Sequence, residues 1–291
     1  MNTRFAVIGG DVRQTNLAGL IAADKYAVSL FGVDAGTPDP PAETVPSLER
    51  AMANADCVVL PIPVTREAGT LNMPALRRPY TLEELIALSH PGQILVGGRV
   101  PAELHERGRP AGLHILDFLE REDFAVRNAV PTAEGALQIA MENTQITLHG
   151  AYCLVVGCGR IGRTLATRLA ALGARVTVSA RKQADFAWIE VAGHGQLETG
   201  HLAEQLGRFD IIFNTVPDLV LPADLLRELS RDCLCIDLAS TPGGVDFDAA
   251  HDLGLNCIWA LGLPGKVAPR TASAILRDTL YRIIRERGEA L

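Results

Sequence analysis

No apolar stretch in this sequence of 291 residues approaches the roughly 20 residues that a membrane-spanning helix requires. The longest, such as Cys57-Val58-Val59-Leu60, are of strand length, so no membrane partner is expected. The first apolar run, Phe5–Ile8, stops at Gly9-Gly10-Asp11 and is too short for the core of a secretory leader, which makes a cytoplasmic location the expectation. Charge of one sign is nowhere gathered into runs, and the net charge is -7. A basic face able to track phosphates is therefore missing, nucleic acid is not an expected partner, and small molecules are. Cysteines occur at 57, 153, 158, 233, 235 and 257 without any C-x-x-C pair, and several lie inside apolar runs. Reduced core thiols and no metal are the expectation. Ordinary catalytic machinery is also scarce: spacing assembles no Ser-His-Asp set, paired carboxylates or metal cluster, and His149 precedes a strand where a structural role fits it.

What the sequence does have is a core. With 48% hydrophobic residues over this length, two compact domains are the prior. Short apolar runs alternate with helical patterns, the mark of an α/β protein with mostly parallel sheets. One series of candidate strands covers Arg4–Ile8, Tyr26–Gly32, Ala55–Pro61, Gln93–Gly97 and His114–Leu116. A second covers Tyr152–Val156, Arg175–Ala180, Asp210–Asn214, Cys233–Leu238 and Cys257–Leu261. Between them, PTAEGALQIAMENT carries Pro131 and Thr132 as a helix start and predicts a linking helix. TASAILRDTLYRIIRERG predicts a final amphipathic helix that returns to the first domain, and the proline-rich Gly36–Pro46 reads as a loop. The expected fold is two doubly wound parallel-sheet domains with a cleft between them: residues 1–130 with 270–291, and a Rossmann dinucleotide-binding domain over 131–269.

Gly157-Cys158-Gly159-Arg160-Ile161-Gly162 fits G-x-G-x-x-G between an apolar strand and a helix with an apolar stripe. Such glycines let the backbone approach a pyrophosphate while the helix N-terminus supplies N–H groups and positive potential. The acidic residue that usually meets the ribose of NAD is absent from the end of the second strand, where Ser179, Arg181 and Lys182 stand. A guanidinium suits a 2′-phosphate, so the corner predicts NADP in preference to NAD, the competing reading being two solvated loop charges. The sequence has only three lysines, and two of them, Lys182 and Lys266, fall in candidate site loops. Asn214-Thr215-Val216-Pro217, Ala239 and Gly262 follow later strands and should line the rest of the cofactor site, with TPGG at 241–244 read as a plain turn. In the first domain, GGDVRQ lacks nucleotide-binding spacing and instead aims Arg13 toward the cleft beside the loop PIPVTREAGT.

Taken in order, GGDVRQ, PIPV, ERED, NAVPTAEG, GCGRIG, SAR, NTVP, DLASTPGGVDF and ALGLPGKVAPRTA closely resemble the A subunit of the dipicolinate synthases of spore-forming bacteria, over nearly the whole chain. The resemblance implies oxidation of a dihydrodipicolinate, derived from 4-hydroxytetrahydrodipicolinate, to pyridine-2,6-dicarboxylate with a nicotinamide cofactor. It also implies, as partner, the flavoprotein-like B subunit of dipicolinate synthase. A small dicarboxylate needs donors, for which Arg13, Thr65, Asn128, Thr132 and Lys266 are candidates. Glu134 is the candidate proton acceptor, or else an acid at a helix N-terminus. Aromatisation of the ring supplies much of the driving force, which agrees with the lack of a strong base. Two alternatives stay open: another NADP oxidoreductase of shikimate-dehydrogenase-like or 2-hydroxyacid-dehydrogenase-like build, and a non-catalytic NADP-binding subunit of a flavoprotein complex. A homo-oligomer also stays open.

Overall fold

The computed structural model describes residues 3–33, 36, 38–67 and 69–288. The chain divides into two compact units, one running to Arg127 and resuming at Ala268, the other spanning Asn128–Val267.

The first unit opens with β1 (Phe5–Ile8), α1 (Val12–Ala23), β2 (Val28–Phe31), β3 (Glu43–Thr44), α2 (Leu48–Met52) and β4 (Cys57–Val59). A two-stranded hairpin of β5 (Thr65–Glu67) and β6 (Thr70–Leu71) precedes α3 (Leu82–Leu88), β7 (Ile94–Gly97), α4 (Ala102–Gly108) and β8 (His114–Asp117). Helix α5 (Glu122–Asn143) then carries the chain into the second unit, with β9 (Tyr152–Val156), α6 (Arg160–Ala171), β10 (Arg175–Ala180), α7 (Gln183–Val191), β11 (Gly195–Glu198) and β12 (Ile211–Asn214). It continues through α8 (Ala223–Leu226), β13 (Leu234–Asp237), α9 (Phe247–Asp252), β14 (Asn256–Trp259) and α10 (Leu263–Val267), and α11 (Pro269–Glu286) belongs again to the first unit.

Each unit holds a six-stranded parallel sheet, in the orders β3-β2-β1-β4-β7-β8 and β11-β10-β9-β12-β13-β14. Counted within its own sheet, each order is 3-2-1-4-5-6, the doubly wound arrangement whose ligands bind beyond the carboxyl ends of the strands where the order reverses. In the second unit that point lies between β9 and β12. Central strands read as unbroken apolar runs because helices cover both of their faces, and β1, β4, β7, β12 and β13 are buried throughout. The sheet faces of the second unit carry separate cores, one around Val155, Leu165 and Phe213, the other around Leu154, Ile212 and Cys235. In the first unit α11 lies against α1 and buries Leu276, Leu280 and Ile284 on the face of Phe5 and Val7.

Three expectations need correction. Edge strands β3 and β11 fall where the sequence shows a loop or nothing, because an exposed edge strand needs no apolar run: Glu43 and Thr44 are both exposed, and β11 is mostly so. PIPVTREAGT is not all loop, since β5 begins at Thr65. The linking helix starts at Glu122 rather than at Pro131, and Pro131 sits inside it. A proline in that position leaves the carbonyl four residues back without its helical partner; that residue is Arg127, where the first unit ends.

Candidate functional site

The site of the second unit is built at the carboxyl end of β9. Gly157 leaves the strand at φ +100, a conformation that side chains rarely adopt, and a Cβ there would lie 2.5 Å from Thr215 Oγ1. Its N–H donates to the Ser179 carbonyl at 3.0 Å, while the Thr215 N–H and hydroxyl both donate to the Val156 carbonyl at 2.9 Å. A Cβ on Gly162 would run into the Gly157 carbonyl, so helix and strand approach at backbone distance only because neither has a side chain. Gly159 N-caps α6 without any capping side chain, and a Cβ on it would meet nothing within 4 Å. The result is an uncapped 12-residue helix behind an open glycine, the setting in which backbone N–H groups and the helix dipole take a pyrophosphate. These residues fit a dinucleotide on geometry as well as on spacing. Arg160 is exposed, and Ile161 packs into the core beneath the turn.

At the end of β10 the structure separates residues that the sequence groups together. Arg181 and Lys182 are exposed. Ser179 is fully buried and its hydroxyl accepts from Thr199 Oγ1 at 3.1 Å, so the donor expected there toward a cofactor lies in the interior instead. The nearby carboxylate of Asp185 is engaged by Arg163 at 2.8 Å, whose guanidinium also bonds the Cys158 carbonyl and lies over the Trp188 ring. The corner thus presents two cations, while Asp185 is held by Arg163 and Glu198, in register with Ala180 at the end of β11, lies 3.1 Å from the His201 ring.

Farther along the sheet, a residue that the motif reading passed over organises the loops. Asp237 ends β13 fully buried and is held by N–H donors: Asn214 Nδ2 at 2.8 Å, Ala239 N at 2.9 Å and Gly244 N at 2.7 Å. Asn214, itself fully buried, also donates to the Val216 carbonyl and accepts from the Val216 N–H, each at 3.0 Å. One carboxylate therefore fixes the segments after both β12 and β13, setting Asn214, Thr215, Val216, Pro217 and Ala239 in one neighbourhood with the glycine turn. TPGG is accordingly more than a plain turn. Gly243 at φ +87 lies against Asp237 and the Trp259 ring, and a Cβ on Gly244 would strike Asn214. The signal in the sequence was an acid ending an otherwise apolar strand with two glycines close behind it. Gly262 forms a separate turn at the entrance to α10, where its carbonyl accepts from the Gly265 N–H.

The candidate substrate residues are dispersed over several elements. In the second unit Asn128 and Thr132 sit one turn apart on α5, and the Thr132 hydroxyl donates to the Asn128 carbonyl at 2.8 Å. Glu134 is in the middle of α5, not at its start, so the helix N-terminus exerts no pull on it; half-exposed at 56%, it faces Arg168 at 3.7 Å. Lys266 is exposed on the short helix α10. In the first unit Arg13 is 11% exposed and occupied: it pairs with Asp11, the N-cap of α1, at 2.8 Å and donates to the Ile62 carbonyl at 3.1 Å. Burial works to raise the Asp11 carboxyl, but the hydrogen bonds and charge of Arg13 outweigh it and hold the group below the ordinary carboxylate range. Arg13 thereby ties the start of α1 to the loop that leads to Thr65. His149, at the start of the second sheet, packs against Gly173, away from the glycine turn.

No helix among the described residues is long and apolar enough to cross a membrane. Residues 118–226 match the family model of the D-isomer specific 2-hydroxyacid dehydrogenase NAD binding domain, which makes the glycine turn part of an NAD(P)-binding dehydrogenase domain and the chain an oxidoreductase. Residues 4–119 match the N-terminal domain of the dipicolinate synthase A subunit. The A subunit of dipicolinate synthase from Bacillus subtilis (strain 168) is 33% identical over 287 residues, which cover 97% of this chain and 96% of the relative. The crystal structure of the Bacillus subtilis protein superposes with a TM-score of 0.86 at 32% identity, covering 98% of this chain and 97% of that one. The corresponding protein from Bacillus halodurans does so at 0.86 and 33%, over 97% of each chain. With similarity of this extent along both units, the chain belongs to the family of dipicolinate synthase A subunits.

Proposed function

We propose that this protein binds NADP at the Gly157–Gly162 turn and oxidises dihydrodipicolinate, formed from 4-hydroxytetrahydrodipicolinate, to dipicolinate. It would do so in the cytoplasm of a spore-forming cell, alongside the flavoprotein-like B subunit. The observation that carries the cofactor reading is the uncapped N-terminus of α6 behind an open Gly159, with a corner at the end of β10 that exposes Arg181 and Lys182 and where Asp185 is paired with Arg163. A charge-assisted fork from Arg181 recognises a 2′-phosphate and has nothing equivalent to hold on a ribose hydroxyl. When bound, NADP supplies the hydride acceptor.

The residues of the chain then have to orient a planar dicarboxylate and keep water out, since loss of hydride completes an aromatic ring. Lys266, Asn128 and Thr65 are the proposed carboxylate donors, with Arg13 a weaker one because Asp11 and the Ile62 carbonyl already take its Nε and Nη2 hydrogens. Thr132 is a weaker one, because its hydroxyl hydrogen already serves Asn128 and only the oxygen remains as an acceptor. Glu134 is the proposed acceptor of the ring N–H proton, and its 3.7 Å pairing with Arg168 is the competing, structural role. The buried Asp237–Asn214 pair positions the loops that carry Thr215, Val216 and Ala239.

The test is to supply the purified chain with NADP and 4-hydroxytetrahydrodipicolinate, in the presence and absence of the B subunit. Formation of a product with pyridine dicarboxylate absorbance is expected. If none forms even when both proteins are present, while an ordinary 2-hydroxyacid is oxidised, the substrate assignment fails and the dehydrogenase fold stands.

A further inference from the structure

Cysteines cluster at the opposite end of the second sheet from the glycine turn. Cys235 and Cys257 are the second residues of β13 and β14 and stand directly opposite one another in the parallel register. Both belong to the core on the same sheet face, beneath α9, with Cys235 fully buried and Cys257 half-buried on the outermost strand. Adjacent strands lie about 4.7–4.9 Å apart, inside the roughly 4.4–6.8 Å that separates the Cα atoms of bridged cysteines. No metal-holding group of three such ligands occurs among the described residues, so the pair reads as a dithiol.

We propose that Cys235 and Cys257 are a redox-active dithiol that closes to a cross-strand disulfide by exchange with a low-molecular-weight disulfide such as oxidised glutathione. Of two thiols placed this close, one keeps its proton in preference to the other: the neighbouring thiol holds Cys257 below the ordinary thiol range and, with burial, raises Cys235 well above it. Cys257, the more accessible and more acidic of the two, attacks the incoming disulfide and expels one glutathione thiolate. Cys235 gives its proton to that thiolate and displaces the second glutathione. Two protein thiols and one disulfide thus become one protein disulfide and two glutathione thiols. One pleat farther along the same strands lie Asp237 and Trp259, also in register, and Trp259 Nε1 donates to the Ala239 carbonyl at 2.9 Å. Closure therefore acts on the loop 238–244 next to it, whatever that loop binds.

The native full chain is incubated with oxidised glutathione, and its digest is analysed by mass spectrometry without reduction. Peptides carrying Cys235 and Cys257 should be cross-linked, and dithiothreitol should separate them. In Cys235→Ser the reaction should halt at a stable glutathione adduct on Cys257, and in Cys257→Ser it should not begin. A Trp188→Phe background leaves Trp259 as the tryptophan reporter, and its fluorescence should change and recover with the redox cycle. The wild-type digest decides the matter even if a variant misfolds. An uncrosslinked native chain, a bond between other partners such as Cys233 and Cys235, or a bond that forms only in denaturant overturns the proposal.

Discussion

Replacing Asp237 by Asn is the sharpest probe of how the loops beyond β12 and β13 are held. The side chain keeps its shape, but one of its two acceptor positions becomes an NH2 group. Oδ1 serves Asn214 and Ala239, and Oδ2 serves Gly244, so the least costly orientation turns the new NH2 toward the Gly244 N–H, donor against donor. Loss of one hydrogen bond to a charged acceptor costs about 1.5–3 kcal/mol. The offset is that a neutral amide avoids the desolvation of a buried carboxylate held by N–H groups, which moves the outcome toward the lower end of that range. Total stabilities run to about 5–15 kcal/mol, so the variant should fold. For a unit of this size the melting temperature should fall by about 3–12 °C. Differential scanning calorimetry of the cofactor-free protein measures this directly, and Trp259 fluorescence in a Trp188→Phe background reports whether the 238–244 loop has loosened. A variant that melts within a degree of the parent, with unchanged Trp259 emission, would refute the view that Asp237 anchors both loops.

Arg181→Ala should weaken NADP by about 1.5–3 kcal/mol, on the order of 10- to 150-fold, and leave NAD nearly unchanged. Titrations of both cofactors at fixed ionic strength check this, and equal losses for the two would mean that Arg181 is only a solvated charge. Ser179→Asp, an obvious design for inverting the preference, should instead destabilise the protein, because the new carboxylate would be buried against Thr199. A shift toward NAD without loss of melting temperature would contradict that. The Asp11–Arg13 pair carries a pH signature. The carboxyl is held below its unfolded value, so its contribution is full above about pH 4 and is lost as the pH falls through the folded value. Urea midpoints of Arg13→Ala should therefore lie below those of the parent at neutral pH and converge with them in acid; a constant gap down to strong acid would show that the pair is not the cause.

Burial, direction and continuity are what separate the sequence reading from the structure. Val155, Phe213 and Ile236 announce central strands because a parallel sheet covered on both faces tolerates only apolar side chains there, and that pattern is local. Gly157 and Gly162 are equally legible, since the close approach they permit is written in their spacing. Glu43–Thr44 and Gly195–Glu198 are silent because an edge strand is held by its backbone, so its side chains are under no constraint to be apolar. Pro131 reads as a helix start although α5 runs through it: its local penalty is outweighed by the burial of Ala129, Ala133, Ala136 and Ala140 on either side of it. The sequence by itself determined two doubly wound units and a dinucleotide turn, because both rest on periodicities a few residues long. Only the tertiary structure decided that Ser179 faces inward, that Asp185 belongs to Arg163, and that Asp237 holds two loops together. Each of these depends on which groups from separate elements meet in the folded chain, and no spacing along the sequence records that.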